Sequence, residues 1–157
     1  MSGYESSTLL DPDLPNDISG IRISYAESGC YGKCPVFSME ISDGLLTFSG
    51  RNYVRAKGKK TAHLKPDEFA RIVRAWYDGR FYAMRDDYCM PKCPDGTITI
   101  ITDVPEYSVS FTSSELHKDV NYCAAYLNGN PETPVPPDAF REFQKMMRAL
   151  AKSHKWL

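Results

Sequence analysis

The sequence predicts an α+β fold: a single domain in which an antiparallel β-meander sheet packs against two or three amphipathic helices. Short runs in which apolar and polar residues alternate, the mark of strands with one buried face, follow one another through tight turns. Two other segments space their apolar residues at i, i+3, i+4 and i+7, the helical period. Strands neighbour strands in the chain instead of alternating with helices, which disfavours a doubly wound parallel sheet.

Residues 1–19 pass from a Ser-rich start to Asp11-Pro-Asp-Leu-Pro-Asn-Asp17. They offer little to bury and are expected to form a flexible leader ahead of a single domain at 20–157. Ile21, Ile23 and Tyr25 alternate with Arg22, Ser24 and Ala26 in a first strand that ends near Glu27. Val36–Ile41 and Leu45–Phe48 flank Ser42-Asp43-Gly44, where glycine supplies the positive φ of a short loop, and read as a β-hairpin. A second turn is expected at Gly50, leading to Tyr53–Ala56. Gly58–Lys60 then separates this from Thr61–Leu64, as another short pair or as one bulged strand.

Pro66 suits a first helical turn, Asp67 and Glu68 sit at its positive end, and Phe69, Ile72, Val73 and Trp76 form an apolar stripe that Gly79 ends. Thr97–Thr102 and Glu106–Thr112 alternate on either side of Asp103-Val-Pro105 and read as a second hairpin. Residues 113–127 admit two readings, a helix capped by Ser113-Ser-Glu115 or a short strand around Val120–Cys123. Past the Pro-rich linker Pro131–Pro137, Phe140, Phe143, Met146, Met147 and Leu150 mark a last helix that opens at Asp138 and runs almost to Trp156.

Composition narrows the classes. The chain has 157 residues, 42% hydrophobic and 25% charged, enough for one core, and 12% aromatic content argues against disorder. A net charge of −1 gives no global attraction to nucleic acid or to an anionic membrane. No apolar run reaches the ~18 to 20 residues of a membrane span. The start Met1-Ser-Gly-Tyr-Glu-Ser6 lacks the basic and apolar regions of a signal peptide, which leaves the compartment open between a cytoplasmic chain and an exported mature form.

Five cysteines form an odd set, and Cys123 is the expected leftover thiol. The others make two Cys-x-x-x-Cys segments, Cys30/Cys34 and Cys89/Cys93, each followed by Pro beside a strand. Their spacing suits four thiolates around one tetrahedral zinc. The plainer alternative is disulfides, within each loop or between the two, stapling a small exported domain; free buried thiols are a third. A copper site of the copper-chaperone kind is disfavoured, because a strand and not a helix follows Cys34.

The run Cys30-Tyr-Gly-Lys-Cys34-Pro35-Val36-Phe37, an Asp-Gly hairpin, a Gly-containing strand, a Pro-Asp-Glu helix and then Phe81–Tyr88 together resemble a bacterial family, the domains of unknown function 6438. The likeness covers about residues 20–156. It implies a fold and a site location but no reaction, and because members often look exported it favours an exported or periplasmic mature form with oxidised cysteines. The stretch Tyr88-Cys89-Met-Pro-Lys-Cys93-Pro-Asp95 departs from the family pattern, so the second cysteine pair reads as a local addition.

Remaining constellations are weak. His63, His117 and His154 are scattered, and no nucleophile elbow, phosphate loop or His-Glu-x-x-His motif is present. Asp86, Asp87 and Asp95 read as solvated loop carboxylates. Arg51, Arg55, Lys57, Lys59 and Lys60 read as a charged edge that blocks sheet-to-sheet pairing more readily than as a phosphate-binding strip. Catalysis is therefore the weaker reading. The leading expectation is a non-enzymatic binding module for a protein partner, using the open face or edge of the sheet and the aromatic loop with Phe81, Tyr82 and Tyr88. The rival is a metal-binding (zinc or copper) or thiol-redox protein centred on Cys30, Cys34, Cys89 and Cys93.

Overall fold

The alternation that begins at Ile21 becomes strand β1 (Arg22–Glu27), followed by β2 (Val36–Ser42), β3 (Leu45–Asn52) and β4 (Gly58–His63). Helix α1 (Pro66–Asp78), a single 3-10 turn (Phe81–Ala83), a two-residue β5 (Asp87–Tyr88), β6 (Glu106–Thr112), β7 (His117–Cys123) and helix α2 (Asp138–Ser153) complete the described elements. The computed structural model describes residues 12–30, 32–89, 105–123 and 135–157. The predicted run Thr97–Thr102 lies outside them, as do most of the leader, Cys93, Asp95 and residues 124–134.

All seven strands form one sheet in the order β4-β3-β2-β1-β6-β7-β5. The first four make the expected antiparallel meander. The second half does not extend it: β6 docks on the free side of β1, and β5 pairs with β7 in parallel, through Asp87↔Asn121 and Tyr88↔Tyr122. The class is thus α+β with a mostly antiparallel sheet and two helices among the described residues.

The β2–β3 hairpin closes through Asp43 and Gly44, both at positive φ (52° and 75°), the backbone that matches the twist of paired strands. Gly50 is not a turn. It lies inside β3, opposite Gly58 on β4, and the 53–57 loop folds back so closely that a Cβ at Gly50 would stand 2.1 Å from the Ala56 carbonyl oxygen. Gly58, Lys59 and Lys60 belong to β4 itself, because a two-sided register from Leu45↔His63 to Gly50↔Gly58 needs the longer strand.

Both edges of β6 are occupied, by β1 and by β7, and β6 forms a hairpin with β7 through the turn at Ser113–Leu116. Of the two readings for 113–127 the strand holds as far as Cys123.

One face of the sheet carries the core. Ile23, Tyr25, Phe37, Met39, Ile41, Leu46, Phe48, Val109, Phe111 and Val120 are buried there against Phe69, Ile72, Val73 and Trp76 of α1 and Phe140, Phe143 and Met147 of α2. Trp76 stacks on Phe111 (centroids 3.8 Å apart), and Phe81 sits between Trp76 and Phe143. Pro66 occupies the first turn of α1, and the Glu68 carboxylate accepts the Lys65 N–H, satisfying one orphan donor. After α2 the chain reverses through Lys155 at φ 61°, which returns the Trp156 ring to Phe48. Leu14 and Ile18, from the segment expected to be a leader, pack on the same core.

Candidate functional site

Since both helices cover one face, the other face of the sheet is open, and registered partners on neighbouring strands share it. One row across it reads Lys59, Ser49, Ser38, Ala26, Ser108, Asn121 and Asp87; the next reads Thr61, Thr47, Glu40, Ser24, Ser110 and Asp119. Short hydroxyls occupy its middle. Basic side chains mark the β4 side and acidic ones the β7–β5 side. At the β7 side the His117 Nδ1 lies 2.8 Å from Thr112 Oγ1 and its Nε2 lies 3.0 Å from Asp119 Oδ2. A hydrogen bond from Ser110 and then the imidazole hold the Asp119 carboxyl below the usual carboxylate range. This string stands in solvent, with the His117 side chain 61% exposed.

The sulfurs sit at one end of this sheet. Cys30 and Cys34 are at disulfide distance from each other in the β1–β2 loop, and Cys89 is at disulfide distance from Cys123. Cys123 is thus not the leftover thiol. Parallel pairing of Tyr88 with Tyr122 carries Cys89 directly opposite Cys123, a partner that local spacing hides because the residues are 34 apart in sequence. Glu106, the register partner of Cys123 on β6, brings its Oε2 to 4.0 Å from Cys89 Sγ. Of the expected four-thiolate set, Cys93 lies outside the described residues, Cys30 and Cys34 face each other, and β6 and β7 stand between β1 and β5.

The same end holds a buried polar network that sequence reasoning missed. Glu27 is buried at the end of β1, accepts the Tyr25 hydroxyl at 2.6 Å, and is gripped by both arms of Arg148 from α2, Nε at 2.5 Å and Nη2 at 2.6 Å. Gln144 reaches the hydroxyls of Tyr25 and Tyr107. The signal was present: Ile23, Tyr25, Glu27 continue one inward-facing period, so a carboxylate falls at a core position and requires a cation. Burial first, and the Glu27 charge second, push the Tyr25 phenol far above its ordinary value of 10.0. A folded-state value raised above the unfolded one stabilises the fold fully below pH ~10 and is lost as pH rises beyond it. Stability measured by urea titration should therefore fall by about 1.4 kcal/mol per pH unit above pH 10 through Tyr25 alone. The Tyr25→Phe variant should show a shallower slope; an unchanged slope would assign the loss to other groups.

The aromatic loop is corrected as a contact surface. Phe81 is wholly buried and Tyr88 nearly so, because the 3-10 turn and β5 point both rings under the helices, and only Tyr82 is half-buried. Asp86 pairs with Lys118 at 2.6 Å, and Asp87 Oδ1 accepts the Cys89 N–H at 2.7 Å. Lys59 and Lys60 lie on β4, the terminal strand of the sheet order, with Arg51, Arg55 and Lys57 exposed beside it. His63 is on β4, His117 is on β7 with four strands between them, and His154 stacks on Trp156, so the three histidines do not form a common site. A cleft of about 1030 Å³ between residues 12–21 and Tyr77, Tyr82 and Leu116 lies at the opposite end of the sheet from the sulfurs.

The family model described as Domain of unknown function (DUF6438) matches residues 21–151, a span that takes in every described strand, α1 and most of α2. No curated protein matches the chain.

Proposed function

We propose that this chain, which belongs to the family of domains of unknown function 6438, is a non-enzymatic binding module whose contact surface is the open face of its sheet. The observation that carries this reading is the pair of hydroxyl rows: five adjacent strands, β4, β3, β2, β1 and β6, present Ser, Thr or Ala in them, so neighbouring side chains leave the face level. A level face with many short donors and acceptors fits a folded protein partner through hydrogen bonds, and the basic β4 side and acidic β7–β5 side fix the partner's orientation by charge. The cross-linked cysteines suit an oxidising compartment, so an exported or periplasmic setting goes with this reading. No described helix is long and apolar enough to cross a membrane.

The test places a photo-reactive phenylalanine at Ser38, at Ser110 and, as a control on the outer face of α2, at Lys145, in cells of the source organism. Adducts to one protein from the two sheet positions and not from Lys145 are expected. Ser24→Arg, in the middle of the face, should weaken that capture about tenfold or more. Adducts from Lys145 alone would overturn the assignment of the face, and an adduct of twice the chain's own mass would replace the separate partner by a second copy.

A further inference from the structure

We propose that Cys89, Cys123 and Glu106 form a zinc site when the Cys89–Cys123 bond is reduced. The three residues occupy one row, Glu106 on β6, Cys123 on β7 and Cys89 immediately after β5. Glu106 and Cys123 are register partners on β6 and β7, and the β5–β7 register sets Cys89 beside Cys123. One ligand atom from each already lies within 4.8 Å of the others. A tetrahedral zinc with bonds of about 2.3 Å to sulfur and about 2.0–2.2 Å to a carboxylate oxygen needs neighbouring donors roughly 3.5–3.8 Å apart. Side-chain rotation as the sulfurs separate supplies that, while the backbone stays pinned by Ser28 N–H on the Glu106 carbonyl (3.0 Å) and Cys89 N–H on Asp87.

Charge explains why a cation belongs there. Two thiolates and a carboxylate put three negative charges on one spot, and among the described residues no cationic side chain pairs with Glu106. Soft sulfur donors select zinc over calcium or magnesium. Cys89 is only half-buried, which leaves a side open for water as the fourth ligand. The chemistry balances: a dithiol reductant gives two electrons and two protons to cut the S–S bond and becomes a disulfide itself, and zinc then displaces the two thiol protons to solvent.

The full chain, reduced with a trialkylphosphine in the absence of oxygen, is mixed with zinc, freed of excess metal and assayed with a chromophoric chelator and by X-ray absorption. One zinc per chain with two sulfur and two oxygen neighbours is expected, none in the oxidised chain, and binding weakened roughly tenfold or more in Glu106→Gln. A reduced, folded chain that retains no zinc, a shell of four sulfurs, or undiminished retention in Cys123→Ser would each overturn the site. Should Cys123→Ser fail to fold, the neighbour count in the natural chain and the Glu106→Gln affinity decide the matter.

Discussion

Replacing Arg148 by alanine should lower the free energy of unfolding by about 3 kcal/mol, because it strands a carboxylate whose cation partner among the described residues is Arg148. Glu27 is 2% exposed, and its described partners are the Tyr25 hydroxyl and the two arms of Arg148. The guanidinium side is 35% exposed, so water entering the space left by Arg148 offsets part of the loss, which sets the expectation at the lower end of the range for broken buried pairs. Arg148→Lys keeps the charge but not the two-armed geometry, and should recover only part of the stability.

The double variant Glu27→Leu with Arg148→Met isolates the pair itself. If desolvation of two charges nearly cancels their attraction, the double variant should cost far less than the sum of its single changes, with a coupling of about 2 kcal/mol in a mutant cycle followed by urea denaturation. A cost below about 1 kcal/mol for Arg148→Ala would show that solvent already screens the carboxylate and that the network adds little to stability.

That network also marks where sequence patterns stop being informative. Local geometry was legible: Asp43-Gly44 could only close a two-residue loop, Pro66 with Asp67 and Glu68 could only open a helix, and the stripes of α1 and α2 face the core as their spacing requires. Gly50 was misread because a glycine at a turn and a glycine under a folded-back loop look alike in sequence, and only the Ala56 carbonyl distinguishes them. Chain proximity also hid one neighbour of β6, which docks on β1, far back in the sequence, as well as on β7. Arg148 lies off the apolar stripe of α2, and nothing in its own helix announces a carboxylate 121 residues earlier.

The two sulfur pairs differ in the same respect, and that difference predicts unequal effects. In zinc-free buffer, replacing Cys89 and Cys123 together by alanine should cost about 3–4 kcal/mol of unfolding free energy, against about 2 kcal/mol for Cys30 and Cys34. The reason is the length of chain each link closes in the unfolded state, a separation of 34 residues in one case and 4 in the other, since the entropy removed grows with the logarithm of the loop. Structure sharpens the contrast. β5 has only two registered pairs with β7, so its hold on the sheet depends on the covalent bond immediately after it, whereas β1 and β2 share six registered pairs without help from the Cys30–Cys34 bond. Amide exchange at Tyr88 and Tyr122 should accelerate in the first variant and stay near its original rate in the second. Equal destabilisation by the two replacements, or no change at Tyr88, would mean that the long-range link does not hold β5 in place. Adding zinc to the reduced natural chain should then restore protection at Tyr88, because a metal held by Cys89, Cys123 and Glu106 ties the end of β5 to β7, as the S–S bond does in the oxidised form, and adds β6 through Glu106.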